Sequence, residues 1–280
     1  MNPNTIYPLL NVRTDFSLGE SVVAVDDLNA IADKLGTSVV GVVDTMSLSS
    51  LIEASNKLGK TDRKLLTGVR VRVVMDADKE ATAAYLKLYP TCEEGIRSLY
   101  RLLSRGFAED RFYYVPRVTW GDLETLLSQD CLAISTGDFY SVTQREDMRS
   151  ALAHLCATVR FSASFYELIP SDTPYYSQQN QRAIEWADSN DLGFEPLVTI
   201  PTLWLEPAER DAFVGRVEPL AELAPHVVDP VVDGVSMTER AEHRVAQLFG
   251  GDVAAGVGGQ VANDLHLSAR QPDLSLPARN

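Results

Sequence analysis

Four histidines and three cysteines are the side chains with most scope for nucleophilic or metal chemistry in these 280 residues, and their spacing assembles neither. His154 and Cys156 lie two apart on an expected helix, where side chains do not face each other, so no Cys-His pair forms there. His226, His243 and His266 are scattered through the last third. Cys92, Cys131 and Cys156 are odd in number and lack paired metal spacing, so they are expected as reduced thiols packed as small hydrophobes, and the protein is expected in the cytoplasm. Gly250-Gly251 and Gly256-Val257-Gly258-Gly259 have no following Lys-Ser/Thr and no preceding apolar strand, so they do not cradle phosphate; a flexible linker is the expectation.

Charge and hydropathy narrow the partners. Lys+Arg 25 against Asp+Glu 39 gives a net charge of -14, which repels a phosphate backbone unless basic residues gather on one face; DNA is expected to be met only indirectly. No apolar run is long enough to span a bilayer, and Asp15, Glu20, Asp26 and Asp27 stand where an export signal would be basic and then hydrophobic, so no membrane role is expected.

The elements that would position a site alternate as in an α/β protein. Tyr7 to Val12 is a short apolar strand. Asp26 to Leu35 carries Leu28, Ile31, Ala32 and Leu35 on one helical face and is closed by Gly36. Ser38 to Val43 is nearly all β-branched, as in a strand covered on both faces. Further elements are expected over 48–58, 64–74, 85–89, 91–105, 121–128, 131–135, 145–157, 177–190, 195–199 and 207–223. Ser236-Met237-Thr238-Glu239 has a capping-box pattern and opens a last helix to Phe249. The expected partition is one α/β unit over residues 1–235, a helix over 236–249 and a flexible tail over 250–280.

Six segments in order carry a family resemblance. Leu10-Asn11-Val12-Arg13-Thr14-Asp15-Phe16-Ser17-Leu18 resembles a strand reading His-x-His-Ser-Asp-Tyr-Ser-Leu, and Val42-Val43-Asp44-Thr45-Met46 resembles one ending in Asp-His-Gly. Leu65 to Val73 is similar to Ile-Ile-Gly-Cys-Glu-Val-Tyr-Val, and Glu93 to Ser104 to the helix Asn-Glu-Glu-Gly-Tyr-x-Asn-Leu-x-x-Leu. Phe165 to Ile169 resembles Phe-Tyr-Leu-Glu-Leu, and Leu197 to Leu205 a strand ending in Asn-Asp-x-His-Tyr. The six patterns they resemble are those of the PHP (polymerase and histidinol phosphatase) domain that opens the alpha subunit of bacterial DNA polymerase III. The resemblance implies a distorted β/α barrel.

It also implies that a metal-ligand set has been exchanged. At the family's ligand positions stand Asn11, Arg13, Asp15, Asp44, Thr45, Arg70, Pro201 and Leu203. Metal-assisted phosphoester hydrolysis needs several carboxylates and imidazoles converging at strand ends. Arginine stays protonated and offers no lone pair. No metal, no cofactor and no catalysis are therefore expected. Arg13 and Arg70 are expected instead to pair with Asp15 and Asp44, as fixed cations in place of mobile ones.

The tail repeats Asp-Leu-x-Leu nine residues apart, at Leu265 and Leu267 and again at Leu274 and Leu276. Gln271-Pro272-Asp273-Leu274-Ser275-Leu276-Pro277 resembles the short peptides by which replication proteins hold the bacterial sliding clamp, although Gln271 is three residues from Leu274 instead of adjacent. Leu265 and Leu267 would be a second, weaker contact. The resemblance thus implies a replication accessory or scaffold, of bacteriophage or bacterial origin, ending soon after its barrel and joining a DNA polymerase to the clamp. Rival expectations are an inhibitor occupying those surfaces, a metal-dependent phosphoesterase or exonuclease with an atypical site, and a metabolic barrel with an unrelated ligand.

Overall fold

Strands built from near-continuous apolar sequence need cover on both faces, and a curled sheet wrapped by helices provides it. The computed structural model describes residues 9–78, 81–169, 174–190, 192–199 and 201–202. Its strands are β1 (Leu9–Val12), β2 (Val39–Thr45), β3 (Lys64–Val74), β4 (Ala84–Pro90), β5 (Val118–Thr119), β6 (Leu132–Thr136), β7 (Ala163–Leu168) and β8 (Glu195–Val198). The α-helices are α1 (Leu28–Leu35), α2 (Leu51–Leu58), α3 (Glu93–Gly106), α4 (Trp120–Leu126), α5 (Glu146–Thr158) and α6 (Pro174–Asn190). Leu203, the expected elements at 207–223 and 236–249, and the whole 250–280 tail with Leu265, Leu267, Gln271, Asp273, Leu274, Leu276 and Pro277 lie outside the described residues.

The sheet runs β1-β2-β3-β4-β6-β7-β8, with β5 beside the end of β3. β4 is antiparallel to both neighbours, β3 and β6, while the other pairings are parallel. Beyond β8, Thr202 bridges Val12 in parallel: its N–H donates to the Asn11 carbonyl at 3.0 Å, and the Arg13 N–H donates to the Thr202 carbonyl at 3.2 Å. The curled sheet thereby returns to its first strand. Gly36 closes α1 with a positive φ of 65°, as the sequence predicts. No described helix is long and apolar enough to cross a membrane.

Period-two alternation sorts the strand residues into an outer layer under the helices and an inner plug. The plug takes Leu10, Val43, Leu66, Tyr89, Ala133, Phe165 and Leu197, one from each long strand. The Tyr89 hydroxyl donates across it to the Leu10 carbonyl at 2.9 Å, and burial raises the Tyr89 pKa well above its ordinary value.

The cysteine expectation is corrected. Cys92 and Cys131 form a disulfide, with Cα atoms 5.3 Å apart. Antiparallel pairing of β4 with β6 sets Pro90 opposite Leu132 and so brings the residues flanking α3 and β6 together. Their spacing of 39 in sequence carries no hint of this. Cys156 is free and half-buried, and burial pushes its thiol up to about 12.

Candidate functional site

On β2, β4, β6, β7 and after β8 the next inward position beyond the plug carries a polar side chain. Counting two residues from the plug reaches Thr45 on β2, Lys87 on β4, Ser135 on β6, Glu167 on β7 and Thr199 after β8, and four residues reach Arg70 on β3. The register between β1 and β2 shifts between Leu9 and Val12, and Asn11 as well as Leu10 serves the interior. These positions form a ring at the carboxyl ends of the parallel strands.

Three carboxylates and three cations meet there. Glu167 accepts from Lys87 Nζ at 2.6 Å, Ser135 Oγ at 2.6 Å, Thr199 Oγ1 at 2.8 Å and Asn11 Nδ2 at 3.4 Å. Asp138 accepts from Arg13 Nη2 at 3.1 Å and from the Phe139 N–H at 2.7 Å, with Lys87 Nζ at 3.3 Å and Arg70 Nε at 3.5 Å. Glu20 accepts from Thr45 Oγ1 at 2.6 Å, Arg70 Nη1 at 3.2 Å and Arg13 Nη1 at 3.3 Å. Arg70 also donates to the Phe139 carbonyl at 2.8 Å and lies over the Tyr85 ring, 3.5 Å from its centroid. Arg13, Arg70, Lys87, Asp138 and Glu167 are all buried.

The electrostatics follow from that crowding. Burial opposes charge on Asp138, yet Arg13, Lys87 and Arg70 more than offset it and hold the carboxyl well below the usual range. Burial likewise opposes charge on Glu20, and Arg70, Arg13, the Thr45 hydroxyl and Arg72 bring it below its ordinary value. Arg13 is lowered by burial but raised further by Asp138 and Glu20, whereas burial and the neighbouring Arg13 leave Arg70 lowered.

The expected ion pairs exist with other partners. Asp44 is buried away from both guanidinium groups, accepting from the Thr14 N–H at 2.7 Å and from the hydroxyls of Thr14, Ser17 and Ser50 at 2.8, 2.8 and 2.5 Å. It ties the loop after β1 to the start of α2. Asp15 is exposed and stands outside the ring. Pro201 is buried beside the closing bridge. Glu20, Lys87, Asp138 and Glu167 are the residues that sequence reasoning missed. The available signal was a charge inside a strand covered on both faces, since Lys87 sits in Tyr85-Leu86-Lys87-Leu88-Tyr89 and Glu167 in Phe165-Tyr166-Glu167-Leu168.

Comparison with known proteins agrees with this barrel. A family model described as the PHP domain matches residues 10–166. The chain is 30% identical over 214 residues to the DNA polymerase III subunit alpha of Yersinia pestis, a match covering 70% of this chain and 18% of that one. It is 32% identical over 101 residues to an error-prone DNA polymerase of Caulobacter vibrioides, covering 36% of this chain and 9% of that one. The chain thus spans less than a fifth of either relative. Among solved structures, an amidohydrolase from Chromobacterium violaceum, with bound sulfate and no metal, superposes with a TM-score of 0.50 at 9% identity, covering 73% of this chain and 89% of that one. That likeness is one of fold.

Proposed function

The chain belongs to the PHP family, and on that premise we propose that it is a non-catalytic PHP module of DNA replication, binding a DNA polymerase through its barrel and the sliding clamp through its tail. One observation supports the non-catalytic reading: Lys87, Arg13 and Arg70 put three covalently attached cations against Glu167, Asp138 and Glu20 at the strand ends. Every one of those carboxylates is engaged by donors, and Asp44 is engaged by four more. A divalent ion needs open oxygen or nitrogen lone pairs, and ammonium and guanidinium groups supply none. This donor set does not fit a phosphoesterase metal centre.

The interaction half of the proposal is supported by similarity to polymerase subunits and by the Asp-Leu-x-Leu repeat. The test has two arms. Calorimetry with Mn and Zn, together with assays on p-nitrophenyl phosphate and end-labelled single-stranded DNA, should show neither stoichiometric binding nor turnover; chelator-sensitive hydrolysis abolished by Asp44→Ala would overturn the non-catalytic reading. Immobilised protein should retain polymerase alpha subunit and sliding clamp, and Leu274→Ala/Leu276→Ala should lose the clamp alone. Equal clamp retention by wild type and variant removes the tail from the proposal.

A further inference from the structure

Next to the ion ring lies an open cleft of about 990 Å³, walled by the loop after β1, the residues after β2, α3 and the 107–116 segment. Most of the large apolar side chains exposed among the described residues gather along it, including Phe16, Tyr100, Phe107, Phe112 and Tyr114. Tyr114 is 83% exposed and Phe107 56%. Single exposed apolar side chains need no explanation, but a contiguous patch of this kind marks an interaction surface. Met46 and Tyr114, both lining it, are held at positive φ of 50° and 56°, a backbone conformation that side chains other than glycine rarely adopt and that concentrates at binding sites.

We infer that this cleft is the docking site for the apolar face of a basic, amphipathic α-helix on a protein partner. Among the described residues its walls come from loops, helices and the strand residues Thr45 and Arg72, which are already paired within the sheet. A strand laid there would leave its own N–H and C=O groups without partners. A helix arrives with its backbone satisfied and offers apolar groups at i, i+3, i+4 and i+7. Charge selects the sign of the flanks. Arg72, the cation in the lining, is spent on the Tyr85 hydroxyl at 2.9 Å, the Pro116 carbonyl at 3.2 Å and Glu20 at 3.8 Å. Asp15 at the lip and Glu109, between Phe107 and Phe112 in sequence, are exposed, and neither forms an ion pair among the described residues. Lysine or arginine beside the apolar face would meet Asp15, whereas a nucleic acid would bring phosphates against carboxylates on a chain of net charge -14. The inference rests on the interaction reading above only in taking the partner to be a protein.

The full chain is titrated against two fluorescent helical peptides of about 18 residues, or about five turns, sharing a Leu/Phe face and flanked by Lys in one and Glu in the other. The Lys peptide should bind saturably and at least about ten-fold more tightly than the Glu peptide, and Phe112→Ser and, separately, Tyr114→Ser should each weaken it by about ten-fold. Asp15→Lys should narrow the preference between peptides, and Ile184→Ser, exposed on α6 away from the cleft, should change nothing. Tyr114 is the safer substitution for folding, and circular dichroism checks every variant. Equal binding of both peptides, or indifference to Tyr114→Ser and Asp15→Lys, overturns the inference. Self-association abolished by Tyr114→Ser would assign the cleft to a second copy, and retention of a single-stranded oligonucleotide by the cleft would assign it to nucleic acid; either also overturns it. None of these readouts involves turnover or clamp capture, so failure here is distinct from failure of the proposed function.

Discussion

Lys87 carries its charge into a strand whose neighbours Leu86 and Leu88 are buried, and its ammonium meets Glu167 at 2.6 Å and Asp138 at 3.3 Å. Removing one member of such a set leaves the others charged and without solvent, which costs more than the set is worth as a whole. Lys87→Met should therefore destabilise the protein by about 3–5 kcal/mol, read from the urea midpoint. Adding Glu167→Met to Lys87→Met should recover a large part of that loss, because the uncompensated carboxylate goes with it; a double variant as unstable as the two single losses added together would contradict the ion-pair account. Arg13 and Arg70 were legible from sequence as fixed cations, but their partners were not. Asp44 and Asp15 were the expected partners, yet Thr14, Ser17 and Ser50 fill the lone pairs of Asp44, and Asp15 faces solvent. Side-chain hydroxyls leave no mark in a charge count.

At the scale of elements, hydrophobic periodicity placed β3 at Lys64–Val74 and α1 up to Gly36, since burial on one or both faces writes itself into the spacing of apolar residues. Strand direction is not written there, so the antiparallel β4, and with it the approach of Cys92 to Cys131, stayed hidden. Closing a loop over a sequence separation of 39 restricts the unfolded chain enough to stabilise the fold by about 4 kcal/mol in the chain-entropy account. Cys92→Ser/Cys131→Ser, or reduction with dithiothreitol, should lower the urea midpoint accordingly, and an unchanged midpoint would deny the bridge a structural part. Gly137 shows a close approach that no periodicity reveals. Its φ is 110°, and a Cβ there would stand 2.4 Å from the Glu167 carbonyl oxygen and 2.8 Å from its nitrogen. Gly137→Ala should cost about 2–4 kcal/mol by combining backbone strain with overpacking, and it should do so by pushing β6 from β7 at the point where Asp138 and Glu167 enter the ring.

For the whole molecule, two electrostatic effects of opposite sign act on stability as pH falls. The net charge of -14 with a sequence pI near 4.7 means that the folded chain repels itself at pH 7, and that this repulsion fades as exposed carboxylates protonate toward the pI. The ion ring works the other way. Asp138 and Glu20 have folded pKa values below their unfolded ones, so their contribution is complete above an unfolded value of about 4 and is lost as pH drops through the lower folded values. Because the ring links β1, β3, β4, β7 and the loop carrying Glu20, protonating it loosens the barrel from several strands at once. Thermal stability should accordingly rise modestly from pH 7 toward the pI and fall steeply below about pH 4. Salt separates the two effects. At pH 7, raising salt from about 0.01 to 0.15 M shortens the Debye length from about 30 to 8 Å and should raise the melting temperature, since the repelling charges are exposed. The buried ring is screened far less, so in the Asp138→Asn variant the salt response at pH 7 should persist while the steep acid limb shifts to higher pH or disappears. A variant that keeps the wild-type acid limb would place the controlling carboxylates elsewhere and detach the acid stability of the fold from its strand-end ring.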